Sequence, residues 1–167
     1  MAPEPPGERL PDFSERQLRD ALGCFATGVT VVTTMTPRGP LGITANSFAS
    51  VSLDPPLVLW SPARKSRRFP AFEGAPFFAI HVLSAGQRAL AERFSLPGDG
   101  FAGIAFEPGH GGTPLLAGCT ARFECRHAAG HDAGDHLIVV GEVLRLEQAD
   151  LPPLLYYRGG YCGLRGG

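Results

Sequence analysis

Apolar and polar residues alternate with period two from Gly42 to Pro56, in the stretch GITANSFASVSLDPP. Ile43, Ala45, Ala49, Val51 and Leu53 fall on one side, with Ser47 interrupting them, and Thr44, Asn46, Phe48, Ser50 and Ser52 fall on the other. Period two is the repeat of a strand, so the pattern predicts one half-buried strand across 43–53. The β-branched run VTVVTTMT predicts another over 29–36. Short apolar runs predict strands at 56–60 and 77–83, and mixed runs predict two more at 116–127 and 135–149.

Two segments carry helical spacing instead. In SERQLRDALGCFAT, 14–27, Ser14 and Gln17 have the spacing of a capping box, and Leu18, Leu22 and Phe25 share one face. Gly28 ends that segment. In SAGQRALAERFS, 84–95, Ala85, Ala89 and Leu90 line one side. The basic stretch 61–75 has room for one helical turn near its end, and 96–114 reads as a glycine-rich loop. Strands at short spacing with only two clear helices predict a mainly β fold, a small barrel with flanking helices, and not a parallel βαβ sheet.

Composition narrows the class. A chain of 167 residues suits one domain, here 13–167, preceded by a proline-rich, acidic lead over 1–12 that reads as flexible. That lead lacks the basic start and apolar centre of a signal peptide. A net charge of −1 excludes the basic excess of a nucleic-acid binder. No apolar run approaches the about 20 residues that cross a bilayer, so the expected location is cytoplasmic. Cys24, Cys119, Cys125 and Cys162 form no CxxC pair and are expected as buried small apolar residues, with Cys119 and Cys125 sharing a strand face.

Four clusters could carry chemistry. The face Thr44, Asn46, Ser50 and Ser52 has no charge, where exposed strand faces ordinarily carry Lys or Glu. It is either the wet side of a strand or a contact for a flat, hydrogen-bonding heterocycle. SPARKSRR, 61–68, is either a solvated basic loop or a phosphate site, since guanidinium, ammonium and hydroxyl donors converge on a dianion. HDAGDH, 131–136, has the composition of a hairpin turn, which argues against a metal, and leaves His136 as a hydrogen-bonding group at a pocket rim. YYRGGY, 156–161, is either a terminal strand or an aromatic and arginine contact for a nucleotide. No GxGxxG follows a strand and no nucleophile elbow occurs.

In their order, TANSFxSVSLxPP (44–56), GDHxIxxGEV (134–143) and LLYYRGGY (154–161) resemble the flavin reductase-like family of FMN-binding split barrels, which includes reductase components of two-component flavin monooxygenases. The resemblance runs from about Phe13 to Leu164. It implies an NAD(P)H:flavin oxidoreductase that moves hydride from NADH or NADPH to FMN, with FAD as an alternative, and supplies a partner monooxygenase. Thr44, Ala45, Asn46, Ser47 and Ser50 would lie along the flavin. Ser61, Arg64, Lys65 and Ser66 would hold its phosphate, and Phe94 would add an aromatic contact. His136 would position the nicotinamide, in a pocket shaped by Tyr157, Arg158 and Tyr161. A homodimer is implied, without metal. A flavin-binding electron carrier or sensor without NAD(P)H turnover is the alternative.

Overall fold

The computed structural model describes residues 12–164; most of the 1–12 lead lies outside them. The elements in chain order are α1 (Glu15–Leu22), β1 (Thr27–Gly28), β2 (Thr30–Thr36), β3 (Gly39–Ala45), β4 (Ala49–Leu53), β5 (Pro56–Trp60), α2 (Phe69–Glu73) and β6 (Phe77–Val82). A 3₁₀ turn at Ala85–Gln87 leads into α3 (Arg88–Ser95). Then follow β7 (Glu107–Pro108), β8 (Pro114–Leu115), β9 (Ala121–Ala133), β10 (His136–Gln148), β11 (Leu154–Tyr157) and β12 (Gly160–Gly163).

Seven strands form one antiparallel sheet in the order β3-β2-β6-β9-β10-β5-β4. β3 and β4 are its two edges, yet only Asn46, Ser47 and Phe48 separate them in the chain. Laid flat, seven strands would be about 29 Å across at the usual spacing. The peptide steps from Ala45 to Ala49 reach at most about 14 Å. The sheet must therefore curl until its edges approach, as a barrel left open along one seam. The predicted single strand over 43–53 is corrected here: the two halves pair with different neighbours, β3 with β2 and β4 with β5. Ser47, where the alternation faltered, sits at the crossing. Past it the apolar side turns outward, and Val51 and Leu53 are exposed.

The β-branched run of β2 is buried on both faces, which explains its lack of alternation. Val32 enters a core with Trp60, Phe72, Phe78, Ile80 and Val139, whereas Val31 enters a second with Leu83, Ala91, Phe94, Phe101 and Leu154. The two threonines that follow donate to carbonyls, Thr33 to Pro114 at 2.6 Å and Thr34 to Phe77 at 2.8 Å. His81 is fully buried on β6. The Leu116 N–H donates to its Nε2 at 3.0 Å, so its Nδ1–H donates to the Val31 carbonyl, also at 3.0 Å. Burial holds this imidazole neutral and pushes its pKa down to about 4.

The helices differ in part from expectation. The Ser14–Gln17 capping box is present. The helix stops at Leu22, because the Gly23 carbonyl accepts the Arg158 N–H at 2.9 Å and the chain then enters β1. Its apolar face is exposed, Leu22 by 64% and Phe25 by 78%. In the 84–95 segment the buried side is Ala91 and Phe94, not Ala85 and Ala89, because a 3₁₀ turn at its start shifts the phase. Of the cysteines only Cys125 is buried. Cys24 follows α1, Cys162 lies on a sheet edge and Cys119 precedes β9, so the shared face with Cys125 is not formed.

Candidate functional site

One side chain anchors the crossing at the seam of the barrel. The Ser61 N–H donates to Ser47 Oγ at 2.9 Å, fastening the 46–48 crossing to the end of β5. Thr44 is likewise occupied, donating its hydroxyl to the Ala91 carbonyl at 2.6 Å and so holding α3 against β3. Asn46 is free. Its amide makes no hydrogen bond among the described residues, nor do the backbone N–H groups of Ser47 and Phe48. Asn46 lines a cavity of about 910 Å³ with Thr27, Cys24, Phe25, Tyr156 and Arg158. Uncharged donors and acceptors without partners, beside apolar walls, suit a flat polar ring. Ser50, on β4, is exposed.

The basic segment folds against the β9–β10 hairpin. Ala63 bridges His136, the Arg64 N–H donates to the Asp135 carbonyl at 2.9 Å, and the Leu137 N–H donates to the Pro62 carbonyl at 3.1 Å. The Arg64 guanidinium pairs with Asp132 and with Glu73 at 3.9 Å, and lies over the Phe69 ring at 5.1 Å. Arg64 is thus the clamp of this junction and not a free phosphate ligand. Arg68 donates to the carbonyls of Phe94 and Gly98, both at 2.7 Å, and of Leu96, closing the C-terminal end of α3. Burial lowers its pKa despite the nearby Asp99. Ser66 Oγ accepts the Arg68 N–H at 3.2 Å. Ser66 and Arg67 both line a groove of about 1260 Å³ that also includes Thr44.

His136 opens β10 directly after a two-residue turn, Gly134–Asp135, with Gly134 at φ +62°. Asp135 Oδ1 lies 2.7 Å from His136 Nδ1. That hydrogen bond, reinforced by the charge of the ring, holds the Asp135 carboxyl below its usual range. With Nδ1 engaged, Nε2 is the nitrogen left for a partner. Among the described residues no three His, Cys, Asp or Glu side chains converge on a metal position.

The tail residues are dispersed. Tyr161 packs edge-on to Tyr156, with centroids 5.3 Å apart, and joins the second core beneath Arg88. Tyr157 is partly exposed beside the Arg158 guanidinium, 5.4 Å from its ring. Arg158 occupies the left-handed region at φ +47°, followed by Gly159 at φ +80°, in the two-residue turn between β11 and β12. Its guanidinium reaches Cys24 Sγ at 3.9 Å.

Four of the expected site residues are therefore brought together as Ser47 with Ser61 and Asn46 with Arg158. Arg64 and Lys65 meet the Asp135–His136 turn. His136 is not joined to Tyr157, Arg158 or Tyr161 in one chain: its pairings are to Ala63 and Ala133, and those of Arg158 are to Gly23. Phe94 is corrected. Its ring is fully buried against Phe101, and a Cβ built on Gly42 would stand 2.5 Å from it, so it is a core residue with no open face. Asp135 was read only as a turn residue of HDAGDH, and Arg67 only as one member of the basic 61–68 segment, so neither was singled out for a role of its own. The adjacency of Asp and His within a predicted turn was the available signal for the first; nothing distinguished Arg67 from its basic neighbours.

The flavin reductase-like domain matches residues 22–165. The FMN reductase (NADH) SmoA of Agrobacterium fabrum is 58% identical over 148 residues, covering 89% of this chain and 85% of that protein. HsaB, the reductase subunit of a flavin-dependent monooxygenase of Mycobacterium tuberculosis, is 42% identical over 153 residues, covering 89% and 82%. Among solved structures, the NADH:FAD oxidoreductase SgcE6 of Streptomyces globisporus, in complex with NAD and FAD fragments, superposes with a TM-score of 0.87. It is 38% identical, with 95% of this chain and 98% of that chain covered. The chain spans about half the length of some longer relatives that it also matches.

Proposed function

This chain belongs to the flavin reductase-like family, and we propose that it reduces flavin with NADH at the seam of its barrel, as the reductase component of a two-component monooxygenase. The observation that carries this reading is the crossing Asn46–Phe48, uncharged and short of hydrogen-bond partners where the sheet edges meet.

A bound flavin supplies the hydride-accepting ring, and the chain's own task is to hold two flat rings in register. Ala45, Asn46 and Ser47 offer an amide and backbone N–H groups to the polar edge of such a ring, with Ser50 and Ser61 beyond. Lys65 and Ser66, joined by Arg67, are the remaining phosphate donors once Arg64 and Arg68 are committed elsewhere. His136, with Nδ1 fixed by Asp135, presents Nε2 as an acceptor for an amide such as that of nicotinamide. FMN is the proposed flavin, after the SmoA relative, and NADH the proposed donor.

The separation of His136 from Tyr157, Arg158 and Tyr161 supports a homodimer in which a second copy completes the nicotinamide pocket. The exposed apolar face of α1 and the exposed Val51 and Leu53 are surfaces such a partner would cover. No helix among the described residues is long and apolar enough to cross a membrane, and we place the protein in the cytoplasm.

The test is NADH oxidation by the purified protein in air, with and without added FMN, alongside its mass in solution. Turnover that depends on flavin supports the reading. A protein that binds flavin and oxidises neither NADH nor NADPH overturns it and leaves a carrier or sensor. A monomer under turnover conditions overturns the shared pocket.

A further inference from the structure

Arg64 contacts three other elements at once. Its N–H donates to the Asp135 carbonyl at 2.9 Å, in the β9–β10 turn. Its guanidinium pairs with Asp132 on β9, stands 3.9 Å from Glu73 at the end of α2, and lies over the ring of Phe69, a buried residue, at 5.1 Å. Among the described residues the pair with Asp132 is the one side-chain ion pair between the 61–68 segment and that turn. Backbone contacts flank it: Ala63 bridges His136, and the Pro62 carbonyl accepts the Leu137 N–H at 3.1 Å. The Ser66 N–H in turn donates to the Ala63 carbonyl at 3.0 Å. Lys65 and Ser66 therefore stand on one of two segments laid side by side, and His136 stands on the other.

An ion pair with one partner as exposed as Asp132 adds little stability by itself. Three partners around one planar guanidinium do fix a geometry, which a point charge on a flexible stem would not. The turn they hold is exposed at Gly134 and Asp135, so its order depends on what it is fastened to. We propose that Arg64 is a positioning residue of the reductase: it ties the phosphate segment to the His136 turn, so that flavin phosphate at Lys65 and Ser66 steadies His136 for the nicotinamide. The second ligand then meets a turn already ordered by the first. The effect is reciprocal, because a coupling between two sites is shared by both ligands. The proposal rests on the flavin and nicotinamide assignments above. It differs from a phosphate contact, whose loss would weaken flavin whether or not a nicotinamide is present.

The test is FMN binding, read by flavin fluorescence, with and without saturating tetrahydro-NADH, a reduced analogue that cannot donate hydride. The proteins are the native chain, Arg64→Met, Arg64→Lys and Asp132→Asn, with NADH oxidation followed in parallel. In the native chain the analogue tightens FMN about fivefold. Arg64→Met abolishes that factor and raises KM for NADH about fivefold, while the affinity for FMN alone changes less than about twofold. Asp132→Asn, on a side chain 86% exposed, keeps the fold and lowers the factor too. Arg64→Lys keeps the charge without the planar fork and falls between the native chain and Arg64→Met. A loss of stability alone would not remove the factor at constant FMN affinity.

A native factor of one overturns the proposal, as does a factor that both Arg64→Met and Asp132→Asn leave in place. An FMN affinity that falls about tenfold in Arg64→Met with the factor intact makes Arg64 a phosphate ligand and overturns it too. NADH oxidation by a native chain without the factor leaves the reductase reading standing and removes the coupling. The factor without NADH oxidation does the reverse.

Discussion

Ser47 Oγ accepts the backbone N–H of Ser61 at 2.9 Å, and this single bond fixes the crossing between the two edges of the barrel to the end of β5, the neighbour of edge strand β4. Ser47→Ala leaves that half-buried N–H without a partner. The expected cost is about 1 kcal/mol of stability. The larger effect falls on flavin, because the crossing carries its proposed contacts: KM for flavin rises several-fold while kcat changes little. Denaturant unfolding and steady-state kinetics read the two effects separately, and a change in kcat alone would contradict the assignment.

His136 depends on Asp135 for its tautomer, with Nδ1 and Oδ1 2.7 Å apart on an exposed turn. Asp135→Asn offers either an amide N–H or an oxygen to Nδ1 and so releases the choice of which ring nitrogen carries the proton. KM for NADH is expected to rise, about threefold to tenfold, with flavin affinity unaltered. His136→Ala gives a larger loss in kcat/KM for NADH. If Asp135→Asn instead weakens flavin binding, the histidine belongs to the flavin and not to the nicotinamide.

The repeat along 43–53 revealed strand residues but not that they belong to opposite edges of one sheet, since alternation reports the face of a strand and never its neighbour. Ser47 carried the only local hint. The buried run in β2 and the capping box at Ser14 were legible because both are set within a few residues. Arg64, Arg67 and Arg68 were not separable in sequence: their fates are decided by Asp132, by an open groove and by the end of α3, which the fold brings in from 26 to 68 residues away. Phe94 was misplaced for the same reason, as its partner glycine, Gly42, lies on another element.

His81 makes stability depend on acid. It is neutral and doubly bonded in the fold, with a pKa near 4 against 6.5 for an exposed imidazole. The unfolded chain therefore binds the extra proton first, and the contribution is complete above about pH 6.5 and lost as pH falls towards 4. The full difference is about 3 kcal/mol. Trp60, the one tryptophan of the chain and buried in the barrel core, reports unfolding by its fluorescence. Between about pH 7 and 4.5 the midpoint of urea unfolding should fall steeply, and His81→Gln should be less stable at neutral pH with a flatter acid limb. A variant as acid-sensitive as the native chain would place the sensitivity elsewhere.

Arg158 holds a left-handed backbone, φ +47°, at the turn where glycine or asparagine would sit without strain. Such a conformation costs a non-glycine residue about 1 kcal/mol or more. Arg158→Asn, which tolerates the same backbone, is therefore expected to raise stability by up to about 1 kcal/mol. The guanidinium, exposed above Tyr157 and beside Cys24 on the cavity that Asn46 lines, would be lost with it. NADH turnover should fall about tenfold while the fold becomes firmer, the pattern of a residue kept for its chemistry at the expense of its backbone. Paired measurements of urea midpoint and kcat/KM for NADH decide it: greater stability with undiminished turnover would reduce Arg158 to a turn residue and remove it from the nicotinamide pocket.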